Sequence, residues 1–226
     1  MFKSMAAPFR AIAHRLESKV GKHVIRNQFR EFATDRRTLD LGCGRSPIAD
    51  GFPNRVGVDV LPDTGVQVIA DAHFLPFAGG SFEQIICSEV LEHLYEPARA
   101  ADEMARVLQK DGQLALTVPF VYPVHEAPHD YQRFTSYGLR RLFVSSGFDV
   151  QQVTELFTEE QTLAILLQRV AFQRRDAALR HYAYLLLAHL LFRLPAPARA
   201  LRYQDVSRKM SGPFLTATYL LVARKK

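Results

Sequence analysis

Two groups of residues in this chain have the types and spacing to do chemistry. The first is Leu39-Asp40-Leu41-Gly42-Cys43-Gly44-Arg45, followed by Val56-Gly57-Val58-Asp59. A short apolar strand runs into a glycine turn, and a second strand ends in a carboxylate seventeen residues after Gly42. Glycine lets the backbone turn sharply and come close to a ligand, and an acid at the tip of the next strand can accept both hydroxyls of a ribose. The pattern describes a nucleotide-like cofactor lying across the carboxyl ends of a parallel sheet, although the third glycine of the dinucleotide fingerprint is missing. The second group is the segment from Tyr122 to Thr135, which holds two histidines, two acids, two tyrosines and an arginine in fourteen residues. A connector needs no such density, and a neutral histidine suits removal of a proton near pH 7.

Within that segment, His125-Glu126-Ala127-Pro128-His129 matches the H-E-x-x-H pattern of zinc proteases in letters only. The pattern requires a helix, so that both imidazoles project from one face. Pro128 would sit inside that helix and disfavours helical geometry at Ala127. No metal site is read from it.

Between the two groups lie Ala70-Asp71-Ala72-His73-Phe74-Leu75-Pro76-Phe77 and Ser88-Glu89-Val90-Leu91-Glu92-His93-Leu94. With LDLGCG before them and in this order, these segments make the chain resemble the class I S-adenosylmethionine-dependent methyltransferases of the type 11-like group. The resemblance covers roughly residues 38 to 157 and the last dozen residues. It implies that Gly42 and Gly44 let the backbone approach the methionine part of S-adenosylmethionine, with Asp40 positioning that end. Asp59 would hold the ribose hydroxyls. Asp71 would accept from the adenine amine beside the Ala72 N–H, with Phe74 against the ring. Ser88 and Glu89 would line the site near the transferred methyl.

The loop His125 to Thr135 is similar to the H-E-x-P-H-D-Y-x-R-F-T segment of methyltransferases associated with bacterial glycan and cell-envelope biosynthesis. It implies methyl transfer to a hydroxyl of a small-molecule, saccharide or lipid-linked acceptor. His129 is then the first candidate base and His125 the second, Tyr131 and Arg133 would bind the acceptor, Asp130 would orient His129 or the loop, and His93 reads as structural. The alternatives are an RNA or quinone-precursor methyltransferase, or a non-catalytic cofactor-binding partner subunit. The loop lacks the Asn-Pro-Pro-Tyr type signature of base amino methylation.

The elements that must position these residues follow an α/β pattern. Strands are expected near 38–42, 55–60, 66–69, 83–88 and 113–119, then at 148–153 and 214–223. Pro97 to Gln109 and Thr135 to Val144 read as helices, stopped by Gly112 and Gly147. The expected fold is a Rossmann-like, mostly parallel sheet of seven strands, the last inserted antiparallel beside the fifth, as the resemblance implies. Residues 1–37 would form a flank with one basic amphipathic helix from Pro8 to Phe32. The core would comprise 38–157 and 213–226, and 158–212 a helical insertion with helices at Glu160 to Arg175 and Ala177 to Leu194, broken by Pro195 and Pro197.

Charge is distributed unevenly. Nine Lys/Arg stand against three acids in residues 1–37, eight against seventeen in 38–159, and twelve against three in 160–226. The core is acidic and both flanks are basic, which points to an anionic surface as partner, a bilayer or a nucleic acid. His181 to Phe192 carries no Lys, Arg, Asp or Glu, yet its twelve residues are too few to span a bilayer core, which needs about twenty. It fits an interfacial segment or a lid. Two cysteines, Cys43 and Cys87, suit a reducing compartment rather than a disulfide framework. The basic N-terminal flank lacks the apolar stretch of a secretory signal. The expected location is cytoplasmic, peripheral on the inner face of a membrane.

Overall fold

Residues 13–45, 47–173, 178–194 and 215–226 are described by the computed structural model. The strands are β1 (Thr38–Leu41), β2 (Arg55–Asp59), β3 (Val68–Ile69), β4 (Phe82–Ser88), β5 (Leu108–Pro119), β6 (Phe148–Glu155) and β7 (Thr218–Lys225). They form one sheet in the order β3-β2-β1-β4-β5-β7-β6, with β7 antiparallel to both of its neighbours. The helices are α1 (Lys22–Arg30), α2 (Pro97–Val107), α3 (Ser136–Ser145), α4 (Glu159–Gln173) and α5 (Ala178–Phe192), with a 3-10 turn at Leu91–His93.

The chain divides into two compact units. One holds 24–156 with 218–226; the other holds the described parts of 1–23 and 157–217. In the first, the central strands bury both faces, as β1 does at all four residues. Leu39, Ile85, Leu114 and Leu116 are sealed with Ala100, Ala101, Met104 and Val107 of α2 and Leu139 and Phe143 of α3. Phe29 of α1 packs with Phe52, Ile86 and Ala115. Thr135 caps α3, its hydroxyl accepting the Gly138 N–H at 3.1 Å.

Register is what serves the site. Leu41 pairs with Val58 on one side and Cys87 on the other, Asp59 with Ile69, and Ser88 with Thr117. The carboxyl ends of β1, β2 and β4 therefore finish along one edge, where the loops that carry the candidate residues begin.

Three boundaries depart from expectation. Helix α2 ends at Val107, and β5 starts at Leu108, pairing with Phe82 before a register shift. The irregularity sits at Asp111, with φ +61°, and Gly112, where an added Cβ would lie 2.7 Å from Leu108. The N-terminal helix is not continuous: residues 13–17 are helical, 18–21 are not, and α1 begins at Lys22. Gly21 takes φ +86°, and an added Cβ would stand 3.1 Å from the Phe157 ring. In this second unit the break leaves backbone groups that Gln168 of α4 pairs from both ends of its amide. Its Oε1 accepts the Val20 N–H at 3.0 Å, and its Nε2 donates to the Ser18 carbonyl at 2.8 Å. Finally, β7 begins at Thr218 rather than 214. The expected helix start at Pro8, the expected helix end at Arg175 and the next start at Ala177, the proline break at 195 and 197 and the strand start at Phe214 lie outside the described residues.

One buried charge pair underlies the site. Asp40, on β1, is 2% exposed and accepts from Arg55 Nε at 2.8 Å. Arg55 also donates to the Gly65 carbonyl at 2.7 Å. Burial holds the Asp40 carboxyl above its ordinary range even though Arg55 opposes it. Removing the cation alone leaves a buried carboxylate unpaired, so Arg55→Met should cost about 3–5 kcal/mol in urea unfolding at pH 7. The loss should shrink as pH falls, because a carboxyl with a raised folded pKa favours the folded state in its protonated form. Asp40→Asn in the same background should recover much of it.

Candidate active site

The glycine turn after β1 is shaped by two left-handed residues, Gly42 at φ +69° and Gly44 at φ +52°. An added Cβ at Gly42 would lie 2.2 Å from a Val90 methyl, so the turn and the segment after β4 touch where no side chain fits. The Gly42 and Cys43 N–H groups both reach the Val58 carbonyl, at 2.8 and 3.1 Å. Asp59 faces the turn: its Oδ2 accepts the Gly44 N–H at 2.9 Å and its Oδ1 the Leu61 N–H at 3.1 Å. Cys43 is buried beside them, its thiol pushed up to about 11 by burial and then by the Asp40 charge.

Asp71 follows β3. Its Oδ1 accepts the His73 N–H at 2.9 Å and contacts His73 Nδ1 at 2.5 Å. Burial raises this carboxyl, but the two His73 contacts outweigh it and hold Asp71 below its ordinary range. Ala72 is buried next to it. Phe74 is half exposed, with the Arg99 guanidinium 3.8 Å from its ring centre, so a cation rather than another ring occupies one face.

At the end of β4, the Ser88 hydroxyl lies 3.0 Å from that of Thr117. Glu89 takes φ +55°, and its N–H donates to the Thr117 carbonyl at 3.0 Å. Its Oε1 is buried without a hydrogen bond. Burial first, then the neighbouring Glu92 charge, pushes the Glu89 carboxyl up to about 8.

The loop after β5 is folded against the 3-10 turn Leu91–His93. The Tyr131 N–H donates to the Glu92 carbonyl at 2.9 Å, Gln132 Nε2 to the Leu94 carbonyl at 2.9 Å, and His93 Nδ1 lies 2.8 Å from the His129 carbonyl. Asp130 and Arg133 clamp the loop from inside. Arg133 gives both terminal nitrogens to the Asp130 carboxylate, at 2.5 and 2.7 Å, and reaches the Pro123 carbonyl at 3.3 Å. Read from sequence as an acceptor anchor, Arg133 is thus spent on the loop itself. This pairing holds Asp130 far below the ordinary carboxylate range. The 125–129 stretch is not helical, so its two histidines diverge. His129 is exposed, with Nδ1 2.8 Å from the Tyr131 hydroxyl. His125 turns inward, with Nε2 3.6 Å from Glu92 Oε1 and Nδ1 3.2 Å from Asp130 Oδ2. The proximity of Glu92, outweighing burial, raises His125 above its ordinary value.

Glu92 is the residue that sequence reading passed over. It is fully buried, and neither carboxylate oxygen makes a hydrogen bond. Its Oε1 lies 3.5 Å from His93 Nε2, itself 3.7 Å from Glu126 Oε2. The signal was present as Glu92-His93, an acid and an imidazole adjacent in the turn that follows β4.

Residues 39–116 match the family model described as a methyltransferase domain. The chain is 30% identical over 123 residues to demethylmenaquinone methyltransferase of Paenarthrobacter aurescens, covering 47% of each protein. The chain spans about half the length of the curated relatives it matches. Among solved structures it is similar to 1,6-didemethyltoxoflavin-N1-methyltransferase of Burkholderia thailandensis, solved with 1,6-didemethyltoxoflavin and S-adenosylhomocysteine bound. The TM-score is 0.57 at 13% identity, over 98% of this chain and 92% of that one. It is also similar to the [4+2]-cyclase SpnF, with TM-score 0.58 at 18% identity, over 89% of this chain and 80% of that one. Likeness at this identity fixes the fold and leaves the reaction to the site.

The contact at Gly42 gives a test of the turn. Gly42→Ala should destabilise by about 2–4 kcal/mol, combining left-handed strain with overpacking against Val90. Adding Val90→Ala should return the packing part and leave about 1–2 kcal/mol, measured by urea unfolding.

Proposed function

We propose that this chain, whose fold is that of class I methyltransferases and whose residues 39–116 match a methyltransferase-domain model, transfers the methyl of S-adenosylmethionine to an acceptor hydroxyl. One observation carries the reading. The glycine turn, Asp59 and Asp71 stand at the carboxyl edge of one sheet, and the histidine-rich loop is hydrogen-bonded to the segment that follows β4 at that edge. Cofactor determinants and a proton-accepting loop are thereby served by the same strands.

In this reading Gly42 and Gly44 admit the methionine end, and Asp59 receives the ribose hydroxyls on a carboxylate already oriented by Gly44 and Leu61. Asp71 and Ala72 meet the adenine. Transfer is an in-line displacement at a sulfonium carbon, so alignment is the main contribution of the protein. S-adenosylhomocysteine leaves. The acceptor proton goes to His129, which is exposed and paired with Tyr131, while His125 is held inward and is the weaker candidate. The acceptor class is a small-molecule, saccharide or lipid-linked hydroxyl. Likeness to a demethylmenaquinone methyltransferase supports a quinone precursor as the second reading.

The cofactor is tested by thermal unfolding. A ligand at a hundred times its dissociation constant stabilises the native state by about 2.7 kcal/mol. S-adenosylmethionine and S-adenosylhomocysteine should each raise Tm, and Asp59→Ala should weaken that shift in protein shown to be folded. Absence of any shift would overturn the reading. The acceptor is tested with labelled cofactor against hydroxyl acceptors and a demethylated quinone. Transfer to the hydroxyls should fall by about 10²–10⁴-fold in His129→Ala. Transfer to the quinone alone would select the second reading.

A lipid-linked acceptor is supported by α5. Leu186, Leu187 and Leu190 are exposed at helical spacing between Arg180 and Arg193, and Leu179 and Leu194 are exposed just outside that interval. No helix among the described residues is long and apolar enough to cross a membrane, so contact would lie in the interface plane. The protein should float with anionic vesicles at low salt, and Leu186→Asp with Leu190→Asp should abolish this. A failure to float would remove the membrane from the proposal and leave the cofactor reading standing.

A further inference from the structure

The loop and the turn after β4 meet in a cluster that methyl transfer alone does not explain. Glu92 Oε1, His93 Nε2 and His125 Nε2 converge within 4.8 Å of one another. Glu92 lies at 3.5 Å from the first imidazole nitrogen and 3.6 Å from the second. A hydrogen bond would close these gaps to roughly 2.7–3.2 Å. Ligand atoms about 2.1 Å from one ion, at angles between 100° and 120°, stand roughly 3.2–3.6 Å apart. The two spacings from Glu92 are those of ligands around a small cation.

The carboxylate is the second observation. Glu92 is wholly buried, and both of its oxygens lack a hydrogen bond. A buried carboxylate is costly unless it is paired or coordinates a metal. The cationic guanidinium in this region, Arg133, is taken up bidentately by Asp130.

The imidazoles are oriented as ligands. His93 Nδ1 lies 2.8 Å from the His129 carbonyl, which can only accept, so Nδ1 carries the proton. In the neutral ring, Nε2 then presents its lone pair toward Glu92. His125 turns Nδ1 toward Asp130 Oδ2 at 3.2 Å, and Asp130 is fixed by Arg133. The carbonyl behind His93 is an outer partner of the kind that metal-ligating histidines use, while His125 Nδ1 stands near the Asp130 carboxylate without a hydrogen bond to it. At the rim, exposed Glu126 places Oε2 3.7 Å from His93 Nε2. The three ligands come from two segments, the turn after β4 and the loop after β5. An ion there would tie the loop to the turn.

We propose that Glu92, His93 and His125 bind one divalent transition-metal ion, Mn²⁺ or Zn²⁺ in class, with Glu126 as a rim ligand. Two imidazoles with a carboxylate favour such ions over Ca²⁺ or Mg²⁺, which take oxygen donors. With three inner ligands and Glu126 at the rim, an ion of five or six coordination keeps an open position, and an acceptor oxygen bound there would release its proton more readily. The site goes beyond the methyl-transfer reading and is tested without cofactor or acceptor.

Full-length protein stripped with a chelator would be titrated with Mn²⁺ alone and followed by electron paramagnetic resonance. The free-ion signal should be quenched through one equivalent, and echo modulation should reveal coordinated imidazole nitrogen. His125→Ala and Glu92→Gln should each weaken uptake at least tenfold, and competition should place Zn²⁺ in the same site. If Glu92→Gln does not fold, Glu126→Ala, at an exposed position, and His125→Ala carry the test. No uptake of either ion by folded protein, or uptake unchanged in His125→Ala, would overturn the proposal. Loss of metal binding with the cofactor-induced Tm shift intact would leave the methyl-transfer reading untouched.

Discussion

The Asp59 carboxylate holds two loops at once, and the crevice takes its shape from that. The parallel register sets Leu41 beside Val58, so the turn that follows β1 falls against the residue that ends β2. Asp59 then accepts from Gly44 on one side and Leu61 on the other. Charge-assisted bonds of this kind are roughly twice as strong as neutral ones. The Val58 carbonyl takes the two N–H groups that Asp59 does not, those of Gly42 and Cys43. The turn is therefore built before any ligand arrives, at a left-handed residue where Val90 leaves no room for a side chain. A ribose would meet an acid already aimed, with little ordering left to accomplish.

A second constraint works on the opposite wall. The loop after β5 has no regular structure, so its shape depends on Arg133 and Asp130 from within and on three hydrogen bonds to the turn after β4 from without. Spending Arg133 inside the loop costs the acceptor an anion-binding group, but it separates the two histidines. His129 is left at the surface with Tyr131, while His125 is pulled toward Glu92. Two residues of one type, four apart, thereby acquire different surroundings and different chemistry.

What could be read from the sequence was local. The apolar runs of β1, β2 and β4, the glycine turn, the Thr135 cap and the antiparallel last strand, the last by family resemblance, all stand where expected. Contact between distant segments could not be read that way. The N-terminal helix has unbroken amphipathic periodicity, yet Gly21 meets the Phe157 ring and Gln168 accepts and donates across the gap. Helix α2 yields two residues to β5 because Leu108 finds a strand partner in Phe82. In the site, the types were legible and the partners were not. Arg133 looked available because nothing in the order of residues says that Asp130, three places earlier, folds back onto it. Glu92 was given no role of its own in the sequence, and the loop that buries it is held to its turn by Tyr131, Gln132 and His93.

Charge gives these pieces a common logic. Glu89, Glu92 and Asp130 stand close together in a region of the chain with eight basic residues against seventeen acidic. Arg133 answers Asp130. Glu89 is pushed up to about 8, first by burial and then by Glu92, so near neutrality a proton can answer it. Glu92 is left with both oxygens unbonded between two imidazole nitrogens at 3.5 and 3.6 Å. A small cation satisfies all three groups without moving them. The same negative field favours a sulfonium over the neutral thioether left after transfer, so it would hold the donor more tightly than the spent cofactor. An anionic crevice would thus suit a positively charged donor and, at its wall, the proposed ion.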